Sequence, residues 1–207
     1  MARADARPRL TSLPNLLGIA RIVATPVVVI LLLEPFPGAG LLAFAVYVIA
    51  ASTDVIDGRI ARARGEVSPL GVFMDLTADK VLVAGVLIGM VEVGLLPTWI
   101  VAVLLIRELV VQGVRQVAAS ADVVMPARQL GKAKTFATNL GIALLLLAFD
   151  AATGGPLVST GLGVLLRNTG AWVMVVATAL SVASGVDYIR DAFPVLLGRT
   201  DVTEGPT

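Results

Sequence analysis

Long apolar segments separated by short polar ones dominate the hydrophobic pattern of this chain. Six of these segments have the length of a membrane-crossing helix, which needs about 20 residues. Glycine, proline and charged residues lie between them, as is typical of turns between helices. The pattern predicts helices over residues 14–33, 41–63, 70–93, 98–120, 131–149 and 169–193.

The remaining segments are not expected to cross a membrane. Residues 1–13 carry three arginines and two leucines and are expected to lie at the membrane surface. The apolar run 157–166 is too short to span and is expected to be a re-entrant or surface piece. Residues 198–207 are expected to form a flexible tail. The predicted fold is all-α: a polytopic membrane protein whose residues 14–197 form one domain of six transmembrane helices.

Composition agrees with this fold and narrows the chemistry. The 207 residues are 57% hydrophobic, which is too apolar for an ordinary soluble domain, and the net charge of +1 gives no reason to expect nucleic-acid binding. The chain has no cysteine and no histidine. A bound metal would therefore be a hard cation held by oxygen, Mg²⁺ or Mn²⁺. A general base would have to be a carboxylate, a lysine or a tyrosine.

The basic residues predict the orientation of the helices. Under the six-helix prediction only Arg167 lies in the loops of one side. The positive-inside rule then puts both termini at the cytoplasmic face, in an inner membrane if the source is bacterial. A seventh crossing at residues 157–166 would move the C-terminus outside. The basic residues of the predicted cytoplasmic side are Arg3, Arg7, Arg9, Arg59, Arg62, Arg64, Arg128, Lys132 and Lys134.

Four carboxylates lie on two successive predicted helices, at the end of one and the start of the next. Helical spacing puts one set on a shared face of the first helix: Asp54, Asp57, Gly58 and Ala61. It puts a second set on a shared face of the next helix: Gly71, Asp75 and Asp79. A polar bend over residues 64–69 joins the two helices. The resulting hairpin would bring all four acids together.

Four converging carboxylates repel one another and attract cations. Two divalent ions would balance their charge, and metals about 3.5–4 Å apart can clamp the two oxygens of a phosphoryl transfer. Gly58 and Ala61, on the same face, would let a ligand approach the backbone, and Arg62 is placed to neutralise a phosphate. The set predicts a site for a nucleotide diphosphate ester.

Other interpretations of these acids remain open at this point. They could be solvated helix ends paired with Arg59, Arg62 and Arg64. They could mark the ion path of a divalent-cation transporter or channel. An ion path predicts acids spread across the bilayer, whereas here the far side has Glu92 and Asp150 near its loops. Metal-dependent turnover of a nucleotide diphosphate ester would indicate an enzyme, and ion flux in liposomes would indicate a transporter.

The spacing of these residues resembles the signature of the CDP-alcohol phosphotransferase family, also called CDP-alcohol phosphatidyltransferases, at every fixed position. In this chain it reads Asp54-x2-Asp57-Gly58-x2-Ala61-Arg62-x8-Gly71-x3-Asp75-x3-Asp79. The start of the first helix is similar as well, with Pro14, Asn15, Arg21 and Pro26. Arg107-Glu108 and the segments 131–135 and 184–188 resemble the phosphatidylglycerophosphate synthase branch. The resemblance extends over most of residues 14–188.

The resemblance implies transfer of a phosphatidyl group from CDP-diacylglycerol to sn-glycerol 3-phosphate, with release of CMP, by a homodimer among membrane lipids. It implies two Mg²⁺ or Mn²⁺ ions held by Asp54, Asp57, Asp75 and Asp79, the last also acting as the base. It implies nucleotide binding by Asp54, Gly58, Ala61, Arg62 and Gly71. Inositol phosphate or phosphatidylglycerol remain alternative acceptors with the same chemistry.

A phosphorylated acceptor needs cations that the metals do not supply. The candidates are Arg21, Arg107, Arg115, Lys132 and Lys134. For Arg21 the alternative is snorkelling to the lipid head groups, and for the two lysines it is ordinary head-group contact. For Arg107 the alternative is a buried structural ion pair. Glu108, the next residue, is expected not to share the face of Arg107.

Overall fold

The computed structural model of the protein describes residues 13–64, 69–120, 123 and 129–196, with the side chains of 13–14, 54–64, 69–72, 75 and 194–196 left out of the description. These residues form helices and connecting turns, and no strand occurs among them. The α-helices are α1 (Leu13–Leu33), α2 (Ala39–Arg64), α3 (Pro69–Glu92), α4 (Thr98–Ser120), α5 (Gln129–Ala152) and α6 (Gly163–Leu196). A short 3-10 helix, Pro156–Thr160, lies between α5 and α6. The predicted all-α fold is confirmed.

The helix bounds agree with the hydrophobic pattern except before α6. The bounds of α4 are those predicted, and four other helices differ by a few residues at their ends. The apolar run 157–166 was expected to be a re-entrant or surface piece separate from the last helix. This is wrong for its second half, because α6 begins at Gly163. Gly161 causes the division, because it ends the 3-10 helix in the left-handed conformation with φ 67°.

Three helical segments of the described residues are long and apolar enough to cross a membrane: Asn15–Leu33, Gln129–Ala152 and Gly163–Phe193. The apolar part of α2, Ala39–Thr53, is shorter. Helix α4 has sufficient length but carries Arg107, Glu108 and Arg115. The chain is an integral membrane protein, and the count of six crossings stays a prediction.

The described helices form two compact units. The first contains the residues up to Leu95 together with Ile142–Asn168, and the second contains Leu96–Gly141 and the residues from Thr169 onward. The acidic motif belongs to the first unit. Arg107, Arg115 and the lysines of α5 belong to the second. The domain boundaries expected from the sequence stay a prediction.

In the first unit, α1 packs against both α2 and α3. Glycines of the small-residue kind used in membrane helix packing let α1 and α3 approach closely. A Cβ on Gly18 would lie 3.2 Å from Cβ of Met74, and a Cβ on Gly89 would lie 3.2 Å from Cδ1 of Leu32. The contact that lies later in α1 also lies later in α3. Helices α1 and α3 therefore run in the same direction.

A buried carboxylate ties three elements of the first unit together. Asp150, near the end of α5, is 0% exposed. Its Oδ1 accepts the backbone N–H of Leu41 in the first turn of α2, and its Oδ2 accepts that of Leu157 in the 3-10 helix, each at 3.1 Å. Gly40 and Gly155 lie so close to Asp150 that a Cβ on either would collide with it. Asp150 thus supplies acceptors to the unpaired N–H groups of two helix starts, where negative charge is also favoured.

In the second unit, α4 begins with apolar residues and carries its charged residues further along the helix. A Cβ on Gly141 of α5 would lie 2.8 Å from Cγ of Met174 of α6, so these helices also approach closely. Buried residues on α4 follow the helical repeat and include Ile100, Val101, Leu104, Val111, Val114 and Ala118. Arg107 and Arg115 lie beside this buried stripe.

Candidate active site

The acidic motif lies on the two helices predicted for it. The backbone is helical at every fixed position of the motif, on α2 for the first part and on α3 for the second. The two helices contact each other. The side chains of Asp54, Asp57 and Asp75 and the bend 65–68 lie outside the described residues. The convergence of the four acids therefore stays a prediction.

Asp79 is the acid of the motif whose side chain is described. It is half-buried on α3, and it lies close enough to Tyr47 of α2 for its charge to act on the phenol. Tyr47 is 1% exposed and precedes Asp54 by seven positions, which is two helical turns. Tyr47 and Asp54 therefore lie on the same face of α2, and Tyr47 is the residue of that face that lies near Asp79. The carboxylate of Asp79 is an oxygen ligand of the kind that hard divalent cations prefer.

Arg21 lies inside the first unit, at the level of the last two acids of the motif. It is 1% exposed, so it does not snorkel to the lipid head groups. One turn before it, Gly18 contacts Met74 of α3, and one turn after it, Thr25 contacts Gly85. Arg21 therefore lies beside the part of α3 that carries the second pair of acids. Its predicted role in binding an anion stays a prediction.

Arg107 is held against α6 by hydrogen bonds. Its Nε donates to the carbonyl oxygen of Ser181 at 3.1 Å, and its Nη2 donates to Oγ of Ser184 at 2.8 Å. The side chain is 10% exposed. Both serines are buried, and Gly185 beside them leaves space for the arginine side chain. The edge of the guanidinium that carries Nε and Nη2 is therefore fixed by α6, and Nη1 points elsewhere.

The carboxylate of Glu108 joins Arg107 to Lys134. Its Oε2 lies 3.3 Å from Nη1 of Arg107 and 2.7 Å from Nζ of Lys134 on α5. Glu108 lies off the face of Arg107, as expected, yet the two side chains form the ion pair that was considered as the alternative role of Arg107. Neighbouring helix positions point about 100° apart, but both side chains are long enough to meet around the helix surface. The structure thus brings two of the predicted phosphate-binding cations to one oxygen.

Arg115 contacts a tyrosine of α6. Its Nη2 donates a hydrogen bond to the hydroxyl oxygen of Tyr188, and its Cζ lies 4.9 Å from the centroid of that ring. Arg115 follows Arg107 by eight positions, so both lie on one face of α4. Their α6 partners, Ser184 and Tyr188, are four positions apart and also share a face. Two arginines of α4 therefore face a polar stripe of α6.

Sequence reasoning did not identify this polar stripe as a set of partners. Its signal is the spacing of Ser184 and Tyr188, at i and i+4 on a largely apolar helix. Ser181 contributes its backbone carbonyl and not its hydroxyl group. Buried hydroxyl groups on a membrane helix need partners, which indicates a polar neighbour. The spacing alone does not say which helix supplies it.

Lys132 differs from Lys134 in its surroundings. The two lysines are two positions apart on α5 and so point to different sides of the helix. Lys132 is exposed, whereas the side chain of Lys134 is 14% exposed. The exposure of Lys132 agrees with the head-group alternative considered from the sequence.

A sequence model of the CDP-alcohol phosphatidyltransferase family matches residues 11–183. Relatives are similar over most of their length. A CDP-diacylglycerol–glycerol-3-phosphate 3-phosphatidyltransferase of Bacillus subtilis is 38% identical over 148 residues, which is 66% of this chain and 77% of that protein. A probable phosphatidylglycerophosphate synthase of Mycobacterium tuberculosis is 36% identical over 192 residues, which is 90% of this chain and 84% of that protein.

A third relative gives the same result. A CDP-diacylglycerol–glycerol-3-phosphate 3-phosphatidyltransferase of Rickettsia bellii is 32% identical over 180 residues, which is 86% of this chain and 94% of that protein. The comparisons favour a transferase over the ion transporter considered from the sequence. The family model and the helical acidic motif on α2 and α3 agree: this chain belongs to the CDP-alcohol phosphatidyltransferase family.

Proposed function

We propose that the protein transfers the phosphatidyl group of CDP-diacylglycerol to sn-glycerol 3-phosphate, giving phosphatidylglycerophosphate and CMP. The relatives named for this reaction support the choice of substrates. The observation that carries the proposal is the placement of Asp79 of α3 beside Tyr47 of α2, on the face that leads to Asp54. This placement supports a shared acidic site between the two helices.

The four acids Asp54, Asp57, Asp75 and Asp79 would hold two divalent cations, Mg²⁺ or Mn²⁺. Oxygen ligands suit these ions, and the chain has no histidine or cysteine that would favour a softer metal. When bound, such ions neutralise the charge of the diphosphate and of the departing CMP. In the hydrocarbon region, these ions would also offset the cost of placing several carboxylates together.

Asp79 would be the general base of the transfer. It takes the proton of the acceptor hydroxyl while that oxygen bonds to the β-phosphorus of CDP-diacylglycerol. The bond from this phosphorus to the bridging oxygen breaks, and CMP leaves with the electron pair. Tyr47 beside Asp79 is too deeply buried to compete for the same proton. The atoms balance without any further reactant.

The nucleotide would be bound mainly by the α2 half of the motif. Gly58 and Ala61 present no long side chain, so the nucleotide can approach the α2 backbone closely. Arg62, one turn after Gly58, would neutralise a phosphate oxygen. Asp54 and Gly71 complete the proposed nucleotide site.

The acceptor phosphate would be bound by basic residues, first among them Arg107 and Lys134. Both side chains are largely buried, and both already hold an anionic oxygen, that of Glu108. Arg115, Lys132 and Arg21 are the further cations proposed for this role. Buried cations fixed by hydrogen bonds suit recognition of a phosphate, which offers several acceptor oxygens.

The enzyme would act at the cytoplasmic face of an inner membrane, as a homodimer. The distribution of basic residues supports this orientation. CDP-diacylglycerol would enter from the surrounding lipid, and the soluble acceptor from the cytoplasm.

The test is an acceptor screen with the purified full-length protein and CDP-diacylglycerol, with and without Mg²⁺. Glycerol 3-phosphate, inositol phosphate, inositol, serine and phosphatidylglycerol are compared by CMP release and by mass spectrometry of the lipid product. Metal-dependent release with glycerol 3-phosphate, well above all other acceptors, is expected. Faster reaction with another alcohol would keep the family chemistry and overturn the choice of acceptor.

A further inference from the structure

One carboxylate oxygen contacts both of the cations that are proposed first for binding the acceptor phosphate. Oε2 of Glu108 lies 2.7 Å from Nζ of Lys134 and 3.3 Å from Nη1 of Arg107. The contacts are short enough for charge-assisted hydrogen bonds or close ion pairs. Glu108 therefore stands where an anionic ligand of these cations would otherwise bind.

The three side chains differ in how firmly they are held. Arg107 is 10% exposed and anchored by Ser181 and Ser184, and Lys134 is 14% exposed. Glu108 is the most exposed of the three at 32%. Arg107 is thus the fixed part of the cluster, Lys134 is largely buried beside it, and Glu108 is the side chain most open to exchange.

A phosphate monoester and the carboxylate of Glu108 compete for the same donors. The monoester carries nearly two negative charges at neutral pH, since its second pKa is about 6. It also presents three acceptor oxygens, so it can replace the carboxylate at both cations. An uncharged alcohol offers no charge in exchange and would leave the ion pairs in place.

We propose that Glu108 sets the affinity for the acceptor: it is an internal anion that binds Arg107 and Lys134 until the phosphate of the acceptor displaces it. This inference rests on the proposed function, in which these cations bind the acceptor. Glu108 lowers the affinity of the site for every anion. An acceptor with a dianionic phosphate overcomes this competition because it offers more charge than the carboxylate.

The test uses inorganic phosphate as the probe and the purified full-length protein in detergent. The dissociation constant for phosphate is measured without turnover, from the phosphate dependence of the melting temperature. Glu108→Gln keeps the size of the side chain and removes its charge. We expect phosphate to bind about tenfold more tightly to this variant, because one charged hydrogen bond no longer has to be broken.

Two further variants show whether the gain depends on the cluster. In the double variant Glu108→Gln/Lys134→Gln most of the gain should disappear, because one of the released cations is gone. Glu92→Gln removes an exposed carboxylate at the end of α3 and is the matched control, with no change in phosphate binding expected. If Glu108→Gln proves too unstable, Glu108→Asp, with its carboxylate drawn back by one methylene, should bind phosphate more tightly than the native protein.

Kinetics provide the second measurement. The KM for glycerol 3-phosphate should fall in Glu108→Gln while the KM for CDP-diacylglycerol stays constant. Glycerol, which has no charge to displace the carboxylate, should not gain relative to glycerol 3-phosphate. Unchanged or weaker phosphate binding in Glu108→Gln would overturn the inference, even if the native enzyme makes phosphatidylglycerophosphate. An inactive native enzyme that shows the expected binding changes would instead contradict the proposed function.

Discussion

Gly185 of α6 lies directly against the side chain of Arg107 on α4, and a Cβ on Gly185 would be 3.0 Å from Cγ of that arginine. Contacts this short require the neighbour to move. Nε and Nη2 of Arg107 reach past Gly185 to Ser181 and Ser184. The absence of a side chain at position 185 therefore fixes where the guanidinium lies.

Gly185→Ala should weaken acceptor binding. The added methyl group pushes Arg107 away from its serine partners, and a displaced cation binds phosphate less well. We expect the KM for glycerol 3-phosphate to rise by about tenfold, since small misplacements of a positioning group have effects of this order or larger. The KM for CDP-diacylglycerol should not change. Gly113→Ala on α4 is the control, because nothing lies within 4 Å of a Cβ there.

The two lysines of α5 should differ in their effect on the acceptor. Lys134→Gln removes a cation of the Glu108 cluster and should raise the KM for glycerol 3-phosphate by about tenfold, the size of one charged hydrogen bond. Lys132→Gln changes an exposed residue and should have a smaller effect on this KM. Initial rates at varied acceptor concentration measure both. Equal effects of the two substitutions would argue against the cluster as the phosphate site.

Asp79→Asn should abolish most of the turnover. The amide has nearly the shape of the carboxylate but cannot take a proton, so kcat should fall by about 10²–10⁴-fold. Single-turnover CMP release in detergent micelles measures the loss, with Glu92→Gln as an acidic control outside the motif. A variant that retains near-normal kcat would refute Asp79 as the base.

Asp150→Asn should destabilise the protein without a specific effect on either substrate. Both oxygens of Asp150 accept backbone N–H groups, and the amide nitrogen cannot accept one. The unsatisfied donor should cost about 1–3 kcal/mol of stability. The melting temperature in detergent measures this loss. Glu34→Gln, at an exposed position after α1, should leave the melting temperature unchanged.

The hydrophobic pattern and the spacing of the acids were sufficient to predict the helices and the motif. The bounds of α4 were predicted because Pro97 precedes its helical pattern and a predicted loop containing Pro126 follows it. The start of α6 was not, because the break depends on the left-handed conformation of Gly161 rather than on polarity. Periodicity contains no signal for such a local backbone choice.

Contacts between distant parts of the chain were harder to predict. Asp150 was expected only to lie near a loop, whereas it accepts N–H groups from Leu41 and Leu157. Glu108 was expected to lie off the face of Arg107, and helical angles alone do not show how far two long side chains reach. The partners of Arg107 and Arg115 on α6 follow from packing, which the sequence of one helix does not determine.

The central claim is that the acidic motif of α2 and α3 carries metal-dependent phosphatidyl transfer to glycerol 3-phosphate. The most direct measurement supplies radiolabelled glycerol 3-phosphate and CDP-diacylglycerol to the purified enzyme and compares labelled lipid with released CMP. We expect equal amounts of both products in Mg²⁺ and neither after chelation, with activity restored when Mg²⁺ or Mn²⁺ is added back. CMP release without labelled lipid, or full activity in excess chelator, would contradict the account.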